Sequence, residues 1–326
     1  VAKFQFHNAK ERDFYKGANN PTIKIMPKHL IIVGGPTASG KTAIAIQLAA
    51  HFGTEIISAD SRQFYREMSI GTAKPSQEEL DTVKHHFIDT LSVTDTYSVG
   101  HFEKDALELL KKLFLKHDIV VVAGGSGLFI NALCNGLDHF PEVTAEVKIK
   151  VDEGIEQGGL PWLQSTVAAL DAAYFAKVDP QNPARLRRAL EVMWSGGAAY
   201  STFIKGAPDQ RDFEVHQILL DWPRPQLYDR INQRVDQMIL SGLEDEARNL
   251  LPYRPYPALR TVGYEEWFQY FDGLCSKEEA IDKIKQHSRN YAKRQMTWFR
   301  KYGQWEIFNF ADFTKILPYI LQSTQK

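Results

Sequence analysis

Cysteine is nearly absent. Cys134 and Cys275 are the only two in 326 residues, and neither has a neighbour at metal-binding or redox spacing. A disulfide framework and a cysteine metal cluster are thereby excluded, and two reduced thiols suit a cytoplasmic enzyme. Long apolar runs are missing too. None approaches the ~18 residues that a membrane helix needs, so no membrane partner is expected. Charge of one sign is also lacking: 39 Lys and Arg stand against 40 Asp and Glu, a net charge of -1. Any nucleic-acid surface must therefore be a local patch. The first 25 residues scatter Lys3, Lys10, Glu11, Arg12, Asp13 and Lys16 and contain no signal-peptide apolar core. Residues 1–25 are expected to be an extension, disordered or non-native.

What is present is ordinary globular material, 44% hydrophobic and 24% charged, enough for about two domains. Leu30-Ile31-Ile32-Val33 reads as a buried parallel strand ending in Gly34-Gly35. The pattern predicts a helix over 41–51, a second strand from Glu55 with Asp60 at its carboxyl end, and a short strand at 85–89. A helix follows over 102–117, then a third buried strand, Ile119 to Ala123, ending in Gly124-Gly125. Alternating strands and helices argue for an α/β fold, a parallel sheet flanked by helices. From about Leu133 the pattern is helical only, until strand character returns at Val215–Asp221. Long helices are predicted over 224–251 and 277–302, and a last strand at Glu306-Ile307-Phe308. The expected division is a core over 26–132, an all-helical insertion over 133–214, and a second part of the core over 215–326.

Gly35-Pro36-Thr37-Ala38-Ser39-Gly40-Lys41-Thr42 matches the phosphate-loop pattern of nucleotide-binding proteins and sits between a strand and a helix. Its backbone N–H groups and the helix N-terminus can cradle a polyphosphate, Lys41 adds charge, and Thr42 can ligate Mg2+. The pattern names phosphate, not a reaction. A nucleotide-hydrolysing motor usually has a second apolar strand ending in a metal-binding acid. Here Ile119–Ala123 ends in glycine, and the acid at a strand end is Asp60. Asp60 can bind metal, accept a proton from an acceptor, or simply be a solvated strand end. Lys74, in Ile70-Gly71-Thr72-Ala73-Lys74-Pro75, could add charge for a second phosphate group.

A second signal lies near the carboxyl end. Between Lys283 and Trp305 there is no acidic residue, whereas Lys285, Arg289, Lys293, Arg294, Arg300 and Lys301 alternate with Tyr291, Trp298, Phe299 and Tyr302. Cations for phosphates and aromatics for unstacked bases suit RNA. The competing reading is a solvated amphipathic helix with core aromatics. Arg185-Leu186-Arg187-Arg188 is a second basic cluster, whereas Arg224, Arg230 and Arg234 read as ordinary helix-face charges.

Seven strings in order, from the loop at 35–42 through ISADSRQFY at 57–65, IGTAKP at 70–75, GGSGLFINAL at 124–133, NPARLRRALEV at 182–192, RTVGY at 260–264 and KRQMTWFRK at 293–301, resemble the tRNA dimethylallyltransferase (tRNA isopentenyltransferase) family. The resemblance implies a phosphate-loop NTPase-like core and a prenyltransferase that modifies tRNA in the cytoplasm. The donor would be dimethylallyl diphosphate. The acceptor would be the exocyclic amine of the adenosine 3′ of the anticodon, in tRNAs reading U-starting codons, with pyrophosphate released and Mg2+ as cofactor. By the same resemblance the loop residues 35–42 hold the diphosphate, with Lys41 catalytic and Thr42 on the metal. Asp60 contacts the amine and takes its proton. Ser126, where the family usually has threonine, keeps a hydroxyl at the transition site, whereas Phe129, where tyrosine is common, does not. Asp60, Ser61, Arg62, Gln63, Ser126, Lys148, Ala184, Arg185, Leu186, Arg187, Arg188, Arg260, Thr261, Val262, Gly263, Tyr264, Lys293, Arg294, Gln295, Trp298 and Arg300 match tRNA-contacting positions. A monomer binding the anticodon stem-loop is the expected state. The rival readings are a small-molecule kinase, which leaves the basic segments idle, a non-catalytic RNA-binding NTPase, and prenyl transfer to free adenine nucleotides.

Overall fold

The computed structural model describes residues 27–204 and 207–325. The extension expected over 1–25 lies outside the described residues. The centre of the fold is a sheet built from β1 (His29–Gly34), β2 (Ile56–Ser58), β3 (His85–His86), β4 (Ile119–Gly124), β5 (Glu214–Asp221) and β6 (Glu306–Asn309). Its order is β3-β2-β4-β1-β5-β6 and every pair is parallel.

The continuous apolar run of β1 follows from burial on both faces. Leu30 and Ile32 point into one core with Val120 and Val122 of β4. That core is closed by α3 (Val99–Leu113), α4 (Gly127–Asn135) and the far half of α11 (Lys277–Lys301). Ile31 and Val33 point the other way, onto α1 (Lys41–Phe52) and α12 (Phe313–Ser323). A period of two thus feeds two cores from one strand. Truncating a fully buried leucine such as Leu110 would cost about 2–5 kcal/mol.

The insertion forms a separate small core of Val151, Leu163, Val167, Leu186, Leu190 and Met193, from α5 (Ala145–Leu170) and α7 (Pro183–Gly196) with short α6 (Ala172–Phe175) beside them. This core begins later than Leu133, because α4 packs on the sheet through Ile130 and Leu133. Inside α5 the backbone kinks at Gly159, two residues before Pro161.

Two expectations need correction. The helix predicted over 102–117 begins at Val99 instead, where Ser98 and His101 form a reciprocal cap, and it ends at Leu113. The helix predicted over 224–251 is two: α8 (Arg224–Leu240) and α9 (Leu243–Leu250), broken where Gly242 turns left-handed at φ 94°. Beside them α10 (Glu265–Phe271) and the start of α11 pack on Tyr65 and Met68, so the carboxyl half supplies a helical lobe as well as β5 and β6. Short α2 (Gln77–Thr82), with a Ser76 cap, completes the chain. None of the helices among the described residues is long and apolar enough to cross a membrane.

Candidate functional site: a charged crevice beside a basic groove

The phosphate loop, Asp60, Gly124-Gly125 and Asp221 all leave the carboxyl ends of their strands, so they share one edge of the sheet. The loop is held by its carbonyl oxygens. Lys41 Nζ donates to Pro36 at 2.7 Å, Arg230 Nε to Ala38 at 2.8 Å and Trp222 Nε1 to Ser39 at 2.9 Å. Gly40, at φ 92°, leads into α1 without a side-chain cap. The first N–H groups of α1 therefore remain as donors for an anion.

Beside the loop lies a crevice of about 130 Å³. Lys41, Thr42, Asp60 and Arg234 supply its charged and polar walls, and Ile231, Val235, Met238, Val262 and Ile284 an apolar one. Desolvation pulls Lys41 down to about 7, against the raising effect of Asp60 and with the lowering effect of Arg234. Burial likewise lowers Arg234, offset by Asp60. The Nε of Arg234 is sealed from solvent and has no partner among the described residues. An unpaired guanidinium nitrogen beside the crevice suits a multiply charged oxyanion. Hydroxyl and carboxylate oxygens of Thr42 and Asp60 in the same crevice are the hard donors that Mg2+ takes alongside phosphate oxygens.

Asp60 is fixed by a local turn, its Oδ1 accepting from the Arg62 N–H at 3.0 Å. Ser126 is brought next to it across the sheet edge: its Oγ accepts from the Ser61 N–H at 3.0 Å and lies 3.2 Å from the Ser61 hydroxyl. Gln63 is an internal strut, donating to the Thr72 and Ala73 carbonyls at 3.4 and 3.3 Å. Arg62 reaches to the Pro257 and Arg260 carbonyls at 3.3 and 3.4 Å, tying the 60–63 and 257–263 loops together.

A more open pocket lies at Ser126, lined also by Ser61, Phe129, Arg294 and Trp298. Tyr291 and Gln295 line both pockets. Gln295 bridges them physically, accepting from the Thr37 N–H and donating to the Gly125 carbonyl, both at 2.9 Å. A Cβ at Gly125 would stand 2.2 Å from that amide, so only glycine admits the strut. Burial and the negative charge of Asp60 raise the Tyr291 phenol to about 12, which keeps it protonated.

On the outer surface an open groove of about 530 Å³ runs between α7 and α11. Arg185 lines it from one side, Lys293, Arg294, Trp298, Lys301 and Tyr302 from the other. Two sequence segments more than a hundred residues apart thus form one basic, aromatic surface.

Other predicted residues sit differently. Leu186 is fully buried, and Arg187 is paired with Asp152 at 2.8 Å and Glu191 at 2.8 Å. Ala184, Arg188 and Lys148 are exposed, as is Arg260. Thr261, Val262 and Gly263 line the crevice, whereas Tyr264 is buried and donates to Glu246 at 2.6 Å. Arg300 is exposed and paired with Asp221 at 3.0 Å. Lys74 is not available to a phosphate: its buried ammonium is bonded to Asp89 and to the Tyr65 carbonyl. Arg234 is not a surface charge but lines the crevice, whereas Arg230 is exposed and clamps the loop through the Ala38 carbonyl.

Comparison with known proteins agrees with this geometry. The model of the IPP transferase family matches residues 63–302. The tRNA dimethylallyltransferase of Christiangramia forsetii is 49% identical over 296 residues, 90% of this chain and 98% of that protein. The enzyme of the same name from Cytophaga hutchinsonii is 44% identical, over 93% of this chain and all of its own length. The crystal structure of the tRNA isopentenylpyrophosphate transferase of Bacillus halodurans superposes with a TM-score of 0.68 at 34% identity, over 91% of this chain and 97% of that one.

Proposed function

The chain belongs to the IPP transferase family, and from that premise we propose that its crevice transfers a dimethylallyl group from dimethylallyl diphosphate to tRNA, at the exocyclic amine of the adenosine 3′ of the anticodon in tRNAs reading U-starting codons. The observation that carries the reading is the pair of pockets sharing Tyr291 and Gln295, one holding Asp60 and walled by cations and the phosphate loop, the other holding Ser126 and sharing Arg294 and Trp298 with the basic groove. A kinase would leave the second pocket and the groove without a role.

In this reading the diphosphate lies on the α1 N-terminus between Lys41 and Arg234. The five-carbon chain packs on Ile231, Val235 and Met238. The adenine, drawn out of the anticodon loop at a cost of a few kcal/mol, enters past Ser61 and Trp298. The amine lone pair forms the N–C bond while the allylic C–O bond breaks, its electron pair leaving with pyrophosphate. Charge grows on that oxygen, so the fixed donors and Lys41 bind the transition state more tightly than the substrate. The displaced N–H proton passes to the Asp60 carboxylate. Thr42, with Asp60 near, would hold Mg2+, which supplies further charge neutralisation to the leaving group. Ser126 orients Ser61 and the start of the Asp60 turn.

The test is Asp60→Asn with labelled dimethylallyl diphosphate and tRNA. Loss of a general base lowers turnover by roughly 10²–10⁴-fold, with both substrates still bound. Weakened diphosphate binding rescued by high Mg2+ would make Asp60 a metal contact instead. Phosphoryl transfer from ATP to a small acceptor would reject the reading.

A further inference from the structure

The opposite edge of the sheet carries a cluster that the transfer reaction does not use. His29 opens β1 and His216 lies two residues into β5, its neighbouring strand. In the parallel register His29 pairs with Glu214, and Glu214 and His216 share a face by the period of two. That is the face whose continuation, Ile31 and Val33 with Ile218 and Leu220, packs under α1 and α12. The result is a convergence of three donor atoms. His29 Nδ1 lies 3.0 Å from His216 Nε2 and 3.6 Å from Glu214 Oε2. All three ligand atoms fall within 4.8 Å of one another, the one such group among the described residues.

We infer that His29, Glu214 and His216 form a structural site for a divalent transition metal of the Zn2+ class. Two imidazoles and a carboxylate are the ligand set such ions take, whereas Mg2+ prefers oxygen alone. Ligand atoms about 2.0–2.1 Å from a tetrahedral ion stand roughly 3.4 Å apart, and the observed 3.0 and 3.6 Å bracket that spacing. His29 is buried and fixed, whereas Glu214 is exposed and leaves a path for the ion and a fourth, solvent ligand. The nearby Lys28 ammonium is committed to Asp118 at 2.7 Å and does not neutralise Glu214. The competing account is a neutral imidazole pair sharing one hydrogen. It leaves Glu214 as the cross-strand ion-pair partner of His29 and predicts no uptake of metal.

His29 lies six residues along the chain from Gly35, the start of the phosphate loop, roughly 20 Å at strand rise. A bound ion would therefore staple β1 to β5 without touching the crevice. The experiment uses full-length protein stripped with chelator and then titrated with Zn2+ by calorimetry and with Co2+ by visible absorption. The expected result is one equivalent bound with a micromolar or tighter Kd, an intense tetrahedral Co2+ spectrum, and a Tm several degrees higher. His216→Gln and Glu214→Gln should each weaken binding at least tenfold and abolish the Tm gain, while prenyl transfer in Mg2+ stays unchanged. Absence of binding in wild type overturns the site. So does binding that survives in both variants, which would place the ion elsewhere, for instance on Glu55, His86 and His117 at the edge beside β3.

Discussion

Glu246 holds four donors at once, and removing its charge tests how the crevice wall is kept in place. Its Oε2 accepts from the Ser69 and Ile70 N–H groups at 2.9 and 2.8 Å. Its Oε1 accepts from the Gly71 N–H at 2.9 Å and from the Tyr264 hydroxyl at 2.6 Å. Burial first, and the Glu246 charge second, hold the Tyr264 phenol well above its ordinary pKa, so it remains a donor. Glu246→Gln keeps the shape but turns one oxygen into an NH2 group. Whichever way the amide flips, two donors then face a donor. Hydrogen bonds to a charged group contribute about 1.5–3 kcal/mol each, and the half-exposed position lets water replace part of that. The expected loss is about 2–4 kcal/mol, a fall in Tm of about 3–6 °C for a chain of this size. The same loop carries Gly71, Thr72 and Ala73 along the crevice, and the Thr72 carbonyl faces Arg234. A slackened loop should therefore raise KM for dimethylallyl diphosphate about tenfold with a smaller change in kcat. Tyr264→Phe removes one donor and leaves the carboxylate three, so it should cost only about 1 kcal/mol. Thermal unfolding and steady-state transfer assays on the two variants decide the matter. An unchanged Tm and KM for Glu246→Gln would refute the clamp.

The remaining predictions concern the charges. Because the crevice lowers Lys41 to about 7, the free enzyme carries it protonated below that pH and neutral above. Diphosphate binding restores the charge, so near pH 8 most of one proton should be taken up, and affinity should fall by up to tenfold per unit as pH rises above 7. Calorimetry in buffers of different ionisation heat measures the uptake, and buffer-independent heats would contradict it. Arg234→Gln should lower turnover by about 10²-fold, the scale of losing one preorganised donor at a leaving group, with tRNA affinity intact. Lys293→Ala with Arg294→Ala should flatten the slope of log K against log salt for tRNA by about one unit, at roughly 0.7 per phosphate on single strands. An unchanged slope would make the groove structural.

The parts of this molecule legible in the sequence are those whose cause is local. The phosphate loop needs a strand, a glycine-rich turn and a helix in immediate succession, and the chain writes them so over 29–52. The buried strands announce themselves because both faces are covered. The break at Gly242 was harder to read: the residues around it continue a helical pattern, and only the left-handed φ ends it. Gln295 could not be read as a strut at all. Its partners, Thr37 and Gly125, are distant in sequence, and nothing local distinguishes it from other polar residues of a basic helix. Lys74 failed for the complementary reason. Its motif suggests phosphate, and its partner Asp89 lies fifteen residues away, where nothing local marks the pairing.

Arg234 left a trace that can be used elsewhere. Leu227, Ile231 and Val235 form the buried stripe of α8, at steps of four, and Arg234 sits beside that stripe rather than opposite it. A guanidinium near a buried stripe with no acid at helical spacing needs a partner from outside its own helix. Here the opposing protein charge is Asp60 alone. Lys41, Arg234 and Asp60 together leave the crevice with a net charge of about +1 once Lys41 is protonated. A diphosphate ester brings about three negative charges at neutral pH, given a last phosphate pKa near 6. Two positive charges are then missing in a place too poorly hydrated to screen them. A divalent cation held by Thr42 and the phosphate oxygens would supply that amount, which is a physical reason, independent of resemblance, for a diphosphate to arrive in this crevice with a divalent metal.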